Sequence, residues 1–533
     1  MTAISEKTRS PSLIKEVASD TGSESPKATQ ISSSSSLQLK TGSVADPVLS
    51  PKEKPKVAST IPLIAIQSIH DLVQKGSTQK RAERLSTAMS YVGRIWVELQ
   101  LPPCCGSATG KNAEFLAKKL HHVIGSGIDE TLKEKICLNI IINFVYNLNE
   151  ASGRIETDLA DQNFRDTFNI RNSYFKRCSV TSITPLGEET HKRGRIPFLV
   201  TFSNGTRVVY KPRSMEVEQL ICGNEGSIFS KFKKEGLNTY AVYNKKTQDY
   251  GYAEFIESNG TELRKEPKEH PSSLKLYADR FILVDQISRQ LGLSDLHMEN
   301  IITRRGAPLL IDAEVAMAPT DTDAYREVGT CLLEGGTAGY SFYGVSGNHA
   351  GTAIVVREKQ GALSLEDAEA SKQLKLAIES SKKTSKPLDS SSTQHLAVES
   401  VKRKLGYEKH RIVLIKTSEL VRIIEMSPTD GMARFHRNLL EGARTWGFEI
   451  TADQRTLKRL FVDDMENNDV PVFYQNPNTG NLYYNGEVIG RRQREQEEEA
   501  DEPVSEISPT KPLKKISVDP PTYSFGLSLY SIQ

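Results

Sequence analysis

Residues 274–314 carry an order of signals that few folds accommodate. Tyr277, Phe281, Val284, Ile287 and Leu291 recur at three- and four-residue spacing, which predicts an amphipathic helix over 274–291. Gly292 supplies its stop. The loop Ser294-Asp295-Leu296-His297-Met298-Glu299-Asn300 follows. Ile301-Ile302-Thr303 and Leu309-Leu310-Ile311 then read as short strands running into Asp312 and Glu314. Helix, loop with Asp and Asn, hairpin, Asp is the layout of a kinase catalytic lobe. An Asp and an Asn five apart, with a second Asp twelve residues further on, suit phosphoryl transfer from ATP. Asp295 would accept the proton of an attacking hydroxyl. Asn300 and Asp312 would hold the Mg²⁺ ions that neutralise the phosphates.

Upstream, the β-rich run Val208-Val209-Tyr210-Lys211-Pro212-Arg213 delivers one lysine, as the nucleotide-binding lysine of a kinase is delivered. Residues 196–203 and 206–211 flank Asn204-Gly205, which predicts a hairpin closed by a two-residue type I′ turn. A helix is expected over 217–232 and a second hairpin from 239–243 and 250–256. Apolar stripes predict helices at 81–99, 113–124 and 130–149, whose aliphatic faces are core rather than ligand site. A β-run at 411–416, helices near 431–446 and 453–467, and a turn at 477–480 follow.

Composition sets the limits. The hydrophobic share, 37%, is low for a fully packed chain of this length, so one substantial core with disordered segments is expected. Residues 1–60 are rich in Ser, Thr, Pro and Lys and read as a disordered tail. Residues 357–404 read as a low-complexity, partly helical insertion, disordered over 380–393. Residues 491–533 read as an acidic, then Pro- and Lys-rich tail. A net charge of +2 gives no case for a nucleic-acid partner. The apolar runs are too short for a membrane span, and the polar N-terminus lacks a secretory signal, so a cytoplasmic location is expected. Cys104, Cys105, Cys137, Cys178, Cys222 and Cys331 show no metal-binding spacing and read as reduced thiols. The Gly-rich run 335–347 could serve as a peptide-binding or activation-type loop.

Several blocks, in order, resemble the dehydratase domain of class II lanthipeptide synthetases, the LanM family. Residues 186–195 look like its G-D-x-H-x-x-G-R block, and Val209-Tyr210-Lys211-Pro212-Arg213-Ser214 like its V-Y-K-P-R-S. Tyr250-Gly251-Tyr252-Ala253-Glu254-Phe255 is similar to its Y-G-W-x-E-F. The Asp295 and Asp312 segments look like its D-L-H-x-E-N and L-I-D-x-E, and Asp469-Val470-Pro471-Val472-Phe473 like its D-I-P-Y-F. The resemblance implies an α+β, bilobal, lipid-kinase-like or protein-kinase-like fold over residues 61–490, with helical additions and disordered tails.

It also implies two-step chemistry on Ser and Thr of a peptide, which could be a leader-bearing precursor. ATP phosphorylates the hydroxyl, and elimination then leaves a dehydroamino acid. Lys211 would contact nucleotide phosphates, Asp295 and His297 would serve transfer, and Asn300, Asp312 and Glu314 would hold Mg²⁺. His191, Arg411 and Thr417 fall where the family's elimination residues fall, with Glu189 at the position of an Asp. The longer Glu189 leaves room for a kinase that stops at phosphorylation, and a silent nucleotide-binding scaffold is the reading from another class. The zinc motif of the family's cyclase is not present, so thioether rings would need a separate cyclase partner.

Overall fold

The computed structural model describes residues 63–493, except 100, 108, 172–176, 246–247, 257–260, 265–272, 297–299, 331, 333–353, 359–360, 364–367 and 389–391. The expected tail at 1–60, most of the tail at 491–533, His297 and the Gly-rich run 335–347 therefore lie outside the described residues. All described residues belong to one compact unit, Lys56–Gln533.

Four helices open the described chain: α1 (Leu63–Ser77), α2 (Arg81–Glu98), α3 (Lys111–Gly125) and α4 (Glu130–Ala160). The first of these was not foreseen. Asp129 caps α4 by accepting the Leu132 N–H at 3.0 Å. Of the predicted apolar face, Ile136, Ile140, Ile141, Phe144 and Leu148 are buried and Leu132 is partly buried against the same core, and Ala151 and Ile155 extend it. The helix thus runs 31 residues, well past the predicted end at 149. After α5 (Gln162–Thr167) come β1 (Val180–Pro185), β2 (Phe198–Phe202), β3 (Arg207–Lys211), α6 (Glu216–Cys222), α7 (Ile228–Lys231), β4 (Val242–Lys245) and β5 (Tyr250–Glu254). The strands form one antiparallel sheet ordered β1-β2-β3-β5-β4, whose inner side shares a core with the helices.

Two expectations need correcting here. The β2–β3 connection is not a type I′ turn. The Phe202 N–H bonds to the Thr206 carbonyl and the Gly205 N–H to the Phe202 carbonyl, both at 2.9 Å. Gly205 takes a positive φ of 84° and Asn204 does not. This is a three-residue loop with glycine in the left-handed position, and two positive-φ residues are not needed. The single helix over 217–232 is instead two short ones, α6 and α7, because Gly223 and Gly226 interrupt it.

The chain continues with β6 (Thr261–Arg264), α8 (Ser273–Gln290), β7 (Ile301–Arg304), β8 (Ala307–Leu310), α9 (Asp323–Val328), β9 (Ile354–Glu358), β10 (Gly361–Leu363), α10 (Ala368–Thr384) and α11 (Thr393–Leu405). The predicted helix and hairpin around Asp295 are both present. The residues expected to form a loose insertion are not loose throughout. α10 reaches Thr384 inside the stretch read as disordered. Leu374, Ile378, Val398, Val401 and Leu405 are buried in a second core with α6, α7 and α8. Sparse apolar residues at helical spacing sufficed, which a composition count does not register.

The last part holds β11 (His410–Ile412), α12 (Thr417–Ile424), α13 (Pro428–Thr445), β12 (Phe448–Ile450), α14 (Gln454–Asn467), β13 (Phe473–Gln475), β14 (Asn481–Tyr484) and β15 (Glu487–Arg492). Its sheet order is β11-β13-β14-β15-β12, and Phe435 stacks on Phe461 at 4.4 Å in a third core. The β-run predicted over 411–416 is shorter. The chain leaves the sheet after Ile412, and Leu414 and Ile415 bury themselves in that core instead. The fold class is α+β, as expected. No helix among the described residues is long and apolar enough to cross a membrane.

Gly292 ties α8 to the segment that follows the hairpin. Its φ is +59°, and its carbonyl accepts the Ala318 N–H at 2.9 Å. A Cβ there would lie 2.7 Å from the Ala318 carbonyl oxygen. Gly292→Ala is expected to cost about 2–4 kcal/mol in denaturant unfolding, from left-handed strain plus displaced backbone.

Candidate functional site

The site is built where β3 ends. Lys211, the last residue of β3, is buried, and its Nζ lies 2.7 Å from Asp312 Oδ1 and 3.3 Å from Glu218 Oε1. It also donates to the Ile311 carbonyl at 3.1 Å. Two residues on, the Arg213 guanidinium touches three carboxylates. Nη2 is 2.5 Å from Glu218 and from Asp312, and Nε is 2.7 Å from Glu314. The other oxygen of Glu314 accepts from Arg411 of β11. Lys211, Arg213 and Arg411 are thus balanced by Glu218, Asp312 and Glu314 in one cluster. Lys211 and Glu218 are buried in it while Asp312 keeps over a third of its side chain exposed, and the buried charges are tolerated only because they are paired.

The acids respond accordingly. Burial opposes ionisation of Asp312, but Lys211 and Arg213 outweigh it and hold the carboxyl well below the usual range. Burial also opposes ionisation of Glu314, and Arg213 and Arg411 again win, so it too is lowered. Burial disfavours the Arg411 charge, yet Glu314 and Asp295 raise it above its ordinary value.

Asp295 and Asn300 are fastened to the acid-bearing segment that follows β8. The Ser294 N–H bonds to the Val315 carbonyl at 3.1 Å, and the Ile311 N–H to the Asn300 carbonyl at 3.0 Å. The Leu296 N–H bonds to the Thr330 carbonyl at 3.2 Å, and the Thr330 hydroxyl to Asp285 of α8 at 2.6 Å. Asp295 adopts a left-handed φ of 61°, and the Asn300 side-chain amide donates to its carbonyl at 2.8 Å. Bonds on both sides hold the acid in a conformation that non-glycine residues seldom take.

His191 is anchored by the segment that precedes β13. Its Nδ1 lies 2.8 Å from the Val470 carbonyl. A carbonyl only accepts, so Nδ1 carries the hydrogen and Nε2 the lone pair. Burial and then the Arg411 charge push its pKa down to about 4, so the ring is neutral at ordinary pH.

The structure therefore joins Lys211, Asp312, Glu314 and Arg411 directly, links Asp295 and Asn300 to them through the loop, and sets His191 within the field of Arg411 and Glu314. It does not bring in the remaining expected residues as clearly. Glu189 is exposed, and its charge acts on Lys119 of α3. Thr417 is half-buried at the start of α12, not on a strand with Arg411.

Glu218 and Arg213, both central here, were not among the residues singled out. A signal existed for Glu218. It shares the buried side of α6 with Ile221 and Cys222, three and four residues on, and an acid on an apolar face demands a cation.

Residues 134–332 match the family model of a domain of unknown function, DUF4135, which occurs in lanthionine synthetase C-like proteins of the LanM type. The match takes in Lys211, Asp295, Asn300, Asp312 and Glu314, and ends before Arg411. The search of curated proteins gave no match.

Proposed function

We propose that this protein uses ATP and Mg²⁺ to phosphorylate Ser or Thr hydroxyls of a peptide, and then eliminates the phosphate to leave a dehydroamino acid. The observation that carries this reading is the convergence of Lys211 and Asp312 at 2.7 Å beside the fastened Asp295 loop. Lys211 would meet the nucleotide phosphates, and Asp295 would take the hydroxyl proton during transfer. For the metal, the ionised Asp312 and the amide oxygen of Asn300 are the hard oxygen donors that Mg²⁺ prefers. Glu314 gives both oxygens to Arg213 and Arg411, so it would join them only after releasing a guanidinium. When bound, the ion would offset phosphate charge.

In the elimination step, neutral His191 would remove the α-proton through Nε2, and Arg411 would stabilise the departing phosphate. Its lowered pKa gives a directional test. The basic form is present above about pH 4, so elimination from a pre-phosphorylated peptide should stay flat from about pH 7 to 8 and be lost once the ring itself protonates, below about 5. A His191 ring that itself titrates near 6.5 would exclude it in this environment as the base.

Mass spectrometry after incubation of a Ser/Thr peptide with ATP and Mg²⁺ tests the whole scheme. Gain of phosphate followed by net loss of water is expected. The exposed position of Glu189 favours a second reading, a kinase that stops at the phosphopeptide. Persistent phosphopeptide would select it, and binding of ATP without turnover would select a silent scaffold. On the lead reading the peptide carries a leader.

A further inference from the structure

Residues 190–195 form an unusual loop. Lys192, Arg193 and Gly194 are all left-handed, with φ of 45°, 65° and 75°. The loop is closed by backbone bonds between His191 and Arg195 at 3.0 and 2.7 Å. Two of these left-handed residues carry side chains, so the conformation persists only if its surroundings impose it.

The imposing group is Asp469, which lies between α14 and β13 and is wholly buried. Both its carboxylate oxygens accept the Gly194 N–H at 3.0 Å, and one also accepts the Arg193 N–H. Its neighbour Val470 makes two bonds at the start of the same loop. The Val470 N–H donates to the Thr190 carbonyl at 2.8 Å, and the Val470 carbonyl receives His191 Nδ1 at 2.8 Å. From the opposite side, Asn147 of α4 donates to the Arg193 carbonyl at 2.8 Å. One dipeptide therefore grips both the loop and the ring it carries.

We propose that Asp469 is the positioning residue for His191: its carboxylate sets the 190–195 loop so that the imidazole keeps its hydrogen on Nδ1 and presents Nε2 bare. It touches no substrate and acts only through the loop. The importance of the ring rests on the function proposed above, but the geometric relation does not.

The charged form of Asp469 is the stronger acceptor for two N–H groups. Burial pushes its pKa up to about 6, while Thr190, the Gly194 N–H and Lys119 pull it down. Asp464 of α14 and Tyr484 of β14 also sense it electrostatically. The groups acting on His191 itself are Arg411, Glu314 and Lys119. Protonation of Asp469 near pH 6 should therefore loosen the grip before the ring itself titrates.

The test reads the ring directly. The full chain is labelled with ¹⁵N-histidine, and His191→Gln identifies the signal. In the wild type the Nδ1–H tautomer is expected, with protonation near pH 4. In Asp469→Asn the tautomers should mix, and the midpoint should rise by about one unit or more toward 6.5. An unchanged His191 signal in a folded Asp469→Asn protein overturns the proposal. If that variant does not fold, the wild-type titration decides. A shift at His191 with a midpoint near 6 supports the proposal, and its absence contradicts it.

Activity then separates this inference from the function. Asp469→Asn should slow elimination from a phosphopeptide at least about tenfold and leave phosphorylation near wild type. A displaced ring with unslowed elimination would remove His191 from the chemistry while the positioning relation stands.

Discussion

Asp295→Asn is expected to lower phosphoryl transfer by about a hundred- to ten-thousandfold, with stability near that of the wild type. A positioned proton acceptor contributes about that range, and the amide cannot replace it. The backbone has little reason to object. Asp295 sits at φ +61°, and asparagine is among the residues that tolerate this region best. The bond from Asn300 goes to the Asp295 carbonyl, not to its side chain, so the substitution leaves it in place. Labelled phosphate transfer to peptide, read beside denaturant unfolding, separates chemistry from folding. A variant that folds normally and transfers at the wild-type rate would take Asp295 out of the reaction.

Glu218→Ala should have the largest effect on stability, about 3–5 kcal/mol. Glu218 has no exposed surface and accepts from both Lys211 and Arg213. Its removal leaves Lys211, Arg213 and Arg411 with only Asp312 and Glu314 to balance them, and breaking a largely buried ion cluster from one side costs that much. The midpoint of urea unfolding reads it directly. A loss below about 1 kcal/mol would mean that water already reaches the cluster and screens it.

Much of the fold around Asp295 was legible because local signals agreed there. The α8 stripe, its Gly292 stop and the β7–β8 hairpin each follow from periodicity and turn chemistry. Lys211 and Asp312 were legible as a pair because residue type and order suffice to suggest phosphate chemistry, although they lie 101 positions apart. Other features were written less plainly. Whether Asn204-Gly205 closes a two- or three-residue loop depends on strand register, which sequence alone leaves open. The packing of α10 and α11 depends on a few apolar residues in a charged background. Glu218 carried a readable signal, an acid on an apolar helix face, while the part of Arg213 emerges only when three carboxylates close round it. The grip of Asp469 on the His191 loop joins segments 275 residues apart, a relation that only the folded chain reveals.

The central claim is that Lys211 and Asp312 line one site for a nucleotide triphosphate with its metal. Calorimetric titration of Mg-ATP into the wild type and into Lys211→Met tests it most directly. The account predicts saturable binding by the wild type that weakens at least about tenfold in the variant, the cost of losing a charge-assisted contact to phosphate. Absence of binding to the wild type, or equal binding by both proteins, would contradict it.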